Sequence, residues 1–91
     1  VHAQSAKEFT QKGRELIDKR DYMEAILNLN KAIEVDSKYS VAYFLRGNLK
    51  EKFEDLHGAM KDYNTAIETN AKYTEAFFAR GNVKMRLQDY Y

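Results

Sequence analysis

The hexapeptide running from Tyr43 to Asn48, Y-F-L-R-G-N, returns as F-F-A-R-G-N from Phe77 to Asn82, 34 residues further on. Self-similarity at a fixed period of roughly 20–50 residues means that one supersecondary unit is stacked on copies of itself. The register extends well beyond the hexapeptide. Gly13/Gly47, Asp21/Asp55, Ala25/Ala59, Asn30/Asn64, Ala32/Ala66, Ile33/Ile67 and Tyr39/Tyr73 all recur at the same offset. Ala42/Ala76, Lys50/Lys84 and Asp55/Asp89 continue it. The chain therefore reads as a single domain, 1–91, made of units 6–39 and 40–73 and a truncated unit 74–91.

Each full unit reads as two helices. There is no proline, and glycine is scarce. In the first unit apolar residues fall at helical spacing, first Phe9, Leu16 and Ile17, then Tyr22, Ala25, Ile26, Leu29, Ala32 and Ile33. The pattern predicts helices over 5–19, 22–35, 40–53, 56–69 and 74–87. Asp21, with Glu24 three residues on, is expected to cap the second helix as a capping box, and Asp55 and Asp89 to repeat the cap. Asp36-Ser37 and Asn70-Ala71 break the chain between units. Gly13, Gly47 and Gly81 fall mid-helix, where glycine costs roughly 1 kcal/mol against alanine. Close approach of a paired helix offsets that cost, with Ala25/Ala59 and Ala32/Ala66 as the facing small residues. A lone helix pair cannot bury both faces, so the pairs must stack.

This pattern resembles the tetratricopeptide repeat family, whose 34-residue motif is W-x2-L-G-x2-Y…A-x3-F…P. Tyr43, Gly47, Ala59 and Tyr63 carry the match in the second unit, Phe9, Gly13, Ala25 and Leu29 in the first, Phe77 and Gly81 in the third. The resemblance covers 6–91 and implies an all-α, right-handed α-solenoid of antiparallel helix pairs. Arg46 and Arg80 stand where the family has leucine, Lys50 and Lys84 where it has tyrosine, Ser37 and Ala71 where it has proline. These departures bear on the helix–turn details.

In such a stack the first helix of each unit lines the concave side, and residues facing away from the glycine seam point into it. The expected peptide-binding groove is Arg14, Phe44, Asn48, Lys52, Phe78, Asn82 and Arg86. Recurrence of Phe44/Phe78 and Asn48/Asn82 has no evident packing reason. Asparagine offers both donor and acceptor to a peptide backbone, and the phenylalanines offer apolar contact. Some family members grip a C-terminal carboxylate with a Lys/Asn pair, a second Asn and a Lys/Arg pair. The matching positions here are Thr10 and Arg14, Leu45, and Glu75 and Ala79; only Arg14 could hold a carboxylate, and Glu75 would repel one.

Composition excludes several other classes. Lys and Arg total 15 against 14 Asp and Glu, a net charge of +1 with both signs interspersed, so no nucleic-acid partner is expected. No run approaches the length of a membrane span. With no cysteine, isolated His2 and His57, serines without a base and no glycine-rich phosphate loop, no enzyme activity, metal or cofactor is expected. Compartment is cytoplasmic by default. Val1 and Ala3 fit the small-residue pattern before a signal-peptidase cut, the alternative reading being export or a periplasmic location. The expected function is a protein-interaction scaffold that binds a peptide or protein segment. The rival readings are a self-assembling structural module and an accessory domain of a larger multidomain protein. Phe77, Val83, Leu87, Tyr90 and Tyr91, exposed at one end, are expected to make a homo-oligomer through 74–91.

Overall fold

A computed structural model describes residues 4–90, with side chains through Asp89. The Val1–Ala3 cue, His2 and the side chains of Tyr90 and Tyr91 lie outside the described residues. Five helices follow one another: α1 (Ala6–Asp18), α2 (Tyr22–Val35), α3 (Ser40–Lys52), α4 (Leu56–Thr69) and α5 (Thr74–Tyr90). α1 pairs with α2 and α3 with α4, α2 packs on α3, and α5 lies against α4. The stack is elongated, 49 × 28 × 17 Å.

The small residues form the contact surfaces, as their recurrence predicts. Ala25, Ala32, Ala42, Ala59, Ala66 and Ala76 are fully buried. Leu29 fills the space against Gly13, and Tyr63 the space against Gly47. A Cβ at Gly47 would stand 2.7 Å from Tyr63 Cε1. Tyr63 is fully buried, and its burial against α3 is worth roughly 1.5–3 kcal/mol.

The turns are built by local hydrogen bonds. Within a repeat, the chain leaves α1 through Arg20 and α3 through Glu54, both at positive φ (63° and 66°). In each case the next N–H reaches back five residues, Asp21 to Leu16 O and Asp55 to Lys50 O, both at 2.8 Å. That closes the helix end in a Schellman-type turn without glycine. Between repeats, Asp36 Oδ1 accepts from the Lys38 N–H at 3.0 Å and Asn70 Oδ1 from the Lys72 N–H at 3.1 Å. This side-chain turn does what proline does in the family motif.

Three expectations about helix ends need correction. Asp21 makes no side-chain cap, whereas Asp55 accepts from the Gly58 N–H at 3.0 Å. The full capping box is at the start of α1, where Ser5 Oγ accepts from the Glu8 N–H and Glu8 Oε1 accepts from the Ser5 N–H. Asp89 starts no second helix: α5 continues to Tyr90 instead of stopping at 87. The left-handed residue that ends α1 and α3 is unfavourable by roughly 1–2 kcal/mol. In the first two units the helix that packs back after the turn offsets it. Val83, expected to be exposed, is fully buried against α4, while Leu87 is half-buried and Phe77 is 41% exposed.

Candidate functional site

α1 and α3 enclose a cleft of about 240 Å³ lined by Gln11, Arg14, Glu15, Ile17, Asp18 and Leu45. Leu45 and Ile17 supply an apolar floor, and polar side chains supply the rim. Arg14 is exposed on this rim, and its charge is felt at Tyr73 in the turn before α5. Burial raises the Tyr73 phenol above its ordinary value, and Glu75 adds to the effect. The structure thus brings Arg14 together with Leu45, Gln11 and Ile17. Ile17 belongs to the cleft as well as to the seam, which its apolar periodicity alone did not reveal.

The other candidate residues fall into separate settings. Phe44 is half-buried, its ring 5.0 Å from Tyr73 and 5.9 Å from Tyr63. It therefore has a packing role between repeats that its recurrence did not disclose. Phe78, its counterpart on α5, is 73% exposed. The Tyr63 hydroxyl lies 2.6 Å from Asn48 Oδ1 and 2.8 Å from Glu51 Oε1, its single proton shared between two acceptors. Burial, then the Glu51 hydrogen bond, push the Tyr63 phenol far above its ordinary value. Asn82, the counterpart of Asn48, is exposed on α5. Arg86 donates to Glu51 Oε2 at 3.3 Å and to Glu54 Oε2, so it ties α5 to α3. Lys52 lies at the end of α3 with Nζ 5.1 Å from the centre of the Tyr22 ring, beside the Tyr22–Phe53 edge contact. Of the seven candidates, Arg14, Phe78 and Asn82 present exposed groups to solvent.

The positions that depart from the family motif form a polar network. Arg46 Nε and Nη2 donate to Asp62 Oδ2 and Oδ1, both at 2.8 Å, and Nη1 donates to Asn30 Oδ1 at 3.0 Å. Lys50 Nζ stands 3.1 Å from Asp62 Oδ2. The Asp62 side chain is 3% exposed, and its hydrogen bond to Arg46 raises the guanidinium pKa. A buried carboxylate is tolerated when paired in this way. One repeat later, Arg80 Nη1 donates to Asn64 Oδ1 at 3.0 Å.

Stacked helix hairpins with seam glycines and a period-34 register define a right-handed α-solenoid of the repeat-scaffold class. More particularly, the chain belongs to the tetratricopeptide repeat family, whose sequence model matches residues 9–39 and 40–73. Among solved structures it is similar to the first TPR of Spaghetti (RPAP3) bound to the HSP90 peptide SRMEEVD. The TM-score is 0.88 at 28% sequence identity, covering 98% of this chain and 71% of that one. No curated protein sequence matches the chain significantly. No helix among the described residues is long and apolar enough to cross a membrane.

Proposed function

We propose that this protein is a non-enzymatic scaffold whose concave face binds an extended segment of another protein. The observation that carries the reading is the α1–α3 cleft, where an apolar floor (Leu45, Ile17) lies beneath an exposed cation (Arg14) and an amide (Gln11). An entering side chain displaces water from the floor, while Arg14 and Gln11 bond to peptide carbonyls above it. Asn82 extends the same kind of contact along α5. Family membership and the peptide-bound structural neighbour support this reading.

The groove chemistry favours an internal segment over a C-terminal carboxylate. The Thr10 hydroxyl donates to Ala6 O at 2.7 Å and is 2% exposed, Leu45 is 8% exposed, and Glu75 brings a negative charge. Arg14 is then the one cation among the positions that form a clamp in some relatives. The test uses SRMEEVD with a free and an amidated C-terminus, together with extended peptides selected from a random library. A carboxylate clamp would lose about 1.5–3 kcal/mol on amidation; we expect no loss. Arg14→Ala and Asn82→Ala should each weaken a selected peptide by about 1 kcal/mol without lowering the melting temperature. Selected peptides indifferent to both substitutions would overturn the reading.

Self-association through 74–91 is the competing use of the chain. Phe77, Phe78 and Met85, respectively 41%, 73% and 65% exposed, favour it by area. A two-fold contact through the open seam would, however, set Arg80 and Lys84 against their own copies.

A further inference from the structure

Asn48 stands on α3 one turn beyond Leu45, which lines the α1–α3 cleft. It is partly exposed, and the two ends of its amide are in different settings. Oδ1 lies 2.6 Å from the Tyr63 hydroxyl. Nδ2 has no hydrogen-bond partner among the described residues and is not buried. The 2.6 Å separation suits an O–H···O bond, which runs about 2.5–3.0 Å, and is short for N–H···O, about 2.7–3.2 Å. Tyr63 therefore donates and Asn48 accepts, which keeps the Asn48 NH2 off the hydroxyl.

Glu51 competes for the same proton, with Oε1 2.8 Å from the Tyr63 hydroxyl. A carboxylate is the stronger acceptor. Left alone it would draw the proton away and free the amide to turn over. Arg86 opposes this, because it donates to Glu51 Oε2 at 3.3 Å and satisfies the carboxylate from α5. Tyr63 itself has no room to move, being fully buried with its ring against Gly47. One repeat earlier, the positions of Asn48, Glu51 and Tyr63 hold Arg14, Ile17 and Leu29. A guanidinium carries donors only and has no orientation to choose, whereas an amide can present either end. The repeat with the asparagine is the one with a hydroxyl and a carboxylate beside it.

We propose that Tyr63 is a positioning residue for the groove. It holds Asn48 Oδ1 so that the NH2 faces an extended peptide and donates to one of its backbone carbonyls. The inference rests on the groove reading and gives one of its contacts a direction. Asn48 reads an acceptor, while exposed Asn82, with Met85 in the place of Glu51, can turn either end of its amide to a peptide.

The probe is an extended peptide selected from a random library on the full 91-residue chain, with affinities measured well below each variant's melt. Asn48→Ala should weaken it about three- to tenfold, the loss of one hydrogen bond. Asn48→Asp still accepts from Tyr63 but has no donor to offer, and should bind no better than Asn48→Ala. Tyr63→Phe keeps the ring on Gly47 and removes the hydroxyl. It should weaken the peptide about three- to tenfold in the parent chain and less than about twofold in the Asn48→Ala background. Replacing one particular peptide amide by an alkene, which deletes its carbonyl, should erase the effect of Asn48→Ala. Equal losses from Tyr63→Phe in both backgrounds would mean a structural role only and overturn the proposal. So would no loss from Tyr63→Phe, full affinity in Asn48→Asp, or a peptide indifferent to Asn48→Ala. Those failures leave the groove reading standing as long as Arg14→Ala and Asn82→Ala weaken the peptide; failure to select any peptide overturns both.

Discussion

Gly47 and Gly81 occupy the same position in successive repeats, yet the same substitution should move stability in opposite directions. Replacing glycine by alanine inside a helix gains roughly 1 kcal/mol from backbone entropy at either site. At Gly81 nothing opposes that gain, because the new methyl enters open space. At Gly47 the methyl would stand 2.7 and 2.9 Å from Tyr63 Cε1 and Cδ1 and 3.3 Å from Asp62 Cβ. The ring has little freedom to retreat. Tyr63 is fully buried and its hydroxyl is held by Asn48 and Glu51. Overpacking of a rigid site costs about 1–3 kcal/mol. The net effect at Gly47 is then a loss of up to about 2 kcal/mol, against a gain of about 1 kcal/mol at Gly81.

Thermal melts followed by circular dichroism read the difference directly. About 1 kcal/mol corresponds to roughly 4–8 °C in a domain of 60–100 residues. Gly81→Ala should melt several degrees higher than the parent and Gly47→Ala should not. Gly13→Ala should fall between them, because its neighbour is the more adaptable Leu29, with Cδ2 at 3.0 Å. Equal stabilisation by Gly47→Ala and Gly81→Ala would refute the idea that close approach of α4 explains the glycine.

Two further outcomes are expected. Arg46→Leu, which restores the residue of the family motif, should destabilise by about 1–3 kcal/mol because Asp62 keeps only Lys50 as a partner. Adding Asp62→Leu should recover part of the loss, and a neutral or stabilising Arg46→Leu in urea unfolding would contradict the pairing. Stability should also fall above about pH 10, the ordinary phenol range. The Tyr63 and Tyr73 phenols are raised by burial, so the unfolded chain releases their protons first and each group removes up to about 1.4 kcal/mol per pH unit. Below that range both states are protonated and the groups add no pH dependence; Tyr63→Phe should flatten the alkaline slope, and an unchanged slope would exclude Tyr63 as its source.

The seam was legible in the sequence because its residues pay a local cost that only tertiary contact explains. A mid-helix glycine at period 34 has few other causes, and the alanine columns opposite it complete the reading. The groove was less legible. On a helix, the face toward the next repeat and the face toward the concave side differ by about one residue step of 100°. Phe44 and Asn48 therefore look like groove residues by phase, although Phe44 packs on Tyr73 and Asn48 meets Tyr63. Arg14 and Asn82 have the same phase and are exposed. What separates the pairs is the occupancy of the neighbouring surface, which periodicity does not encode.

The arginine column shows how much of the missing information lies between columns. Arg46 reaches Asn30 and Asp62, each 16 residues away, and Arg80 reaches Asn64 at the same separation. The repeats at Asn30/Asn64 and Arg46/Arg80 are visible in the sequence as two unrelated identities. The 16-residue step that joins them appears only when the second helix of one unit lies beside the first helix of the next. Asp62 is harder still to foresee, since Asn28 occupies its place one unit earlier. Each of these arginines thus bonds the helix before it, and Arg46 also bonds the helix after it. Apolar packing alone holds repeats together without fixing their angle closely, whereas a bidentate pair has one geometry. The bidentate Arg46–Asp62 pair therefore fixes α3 against α4 within one repeat, while the single Arg46–Asn30 and Arg80–Asn64 bonds tie each repeat to the one before it.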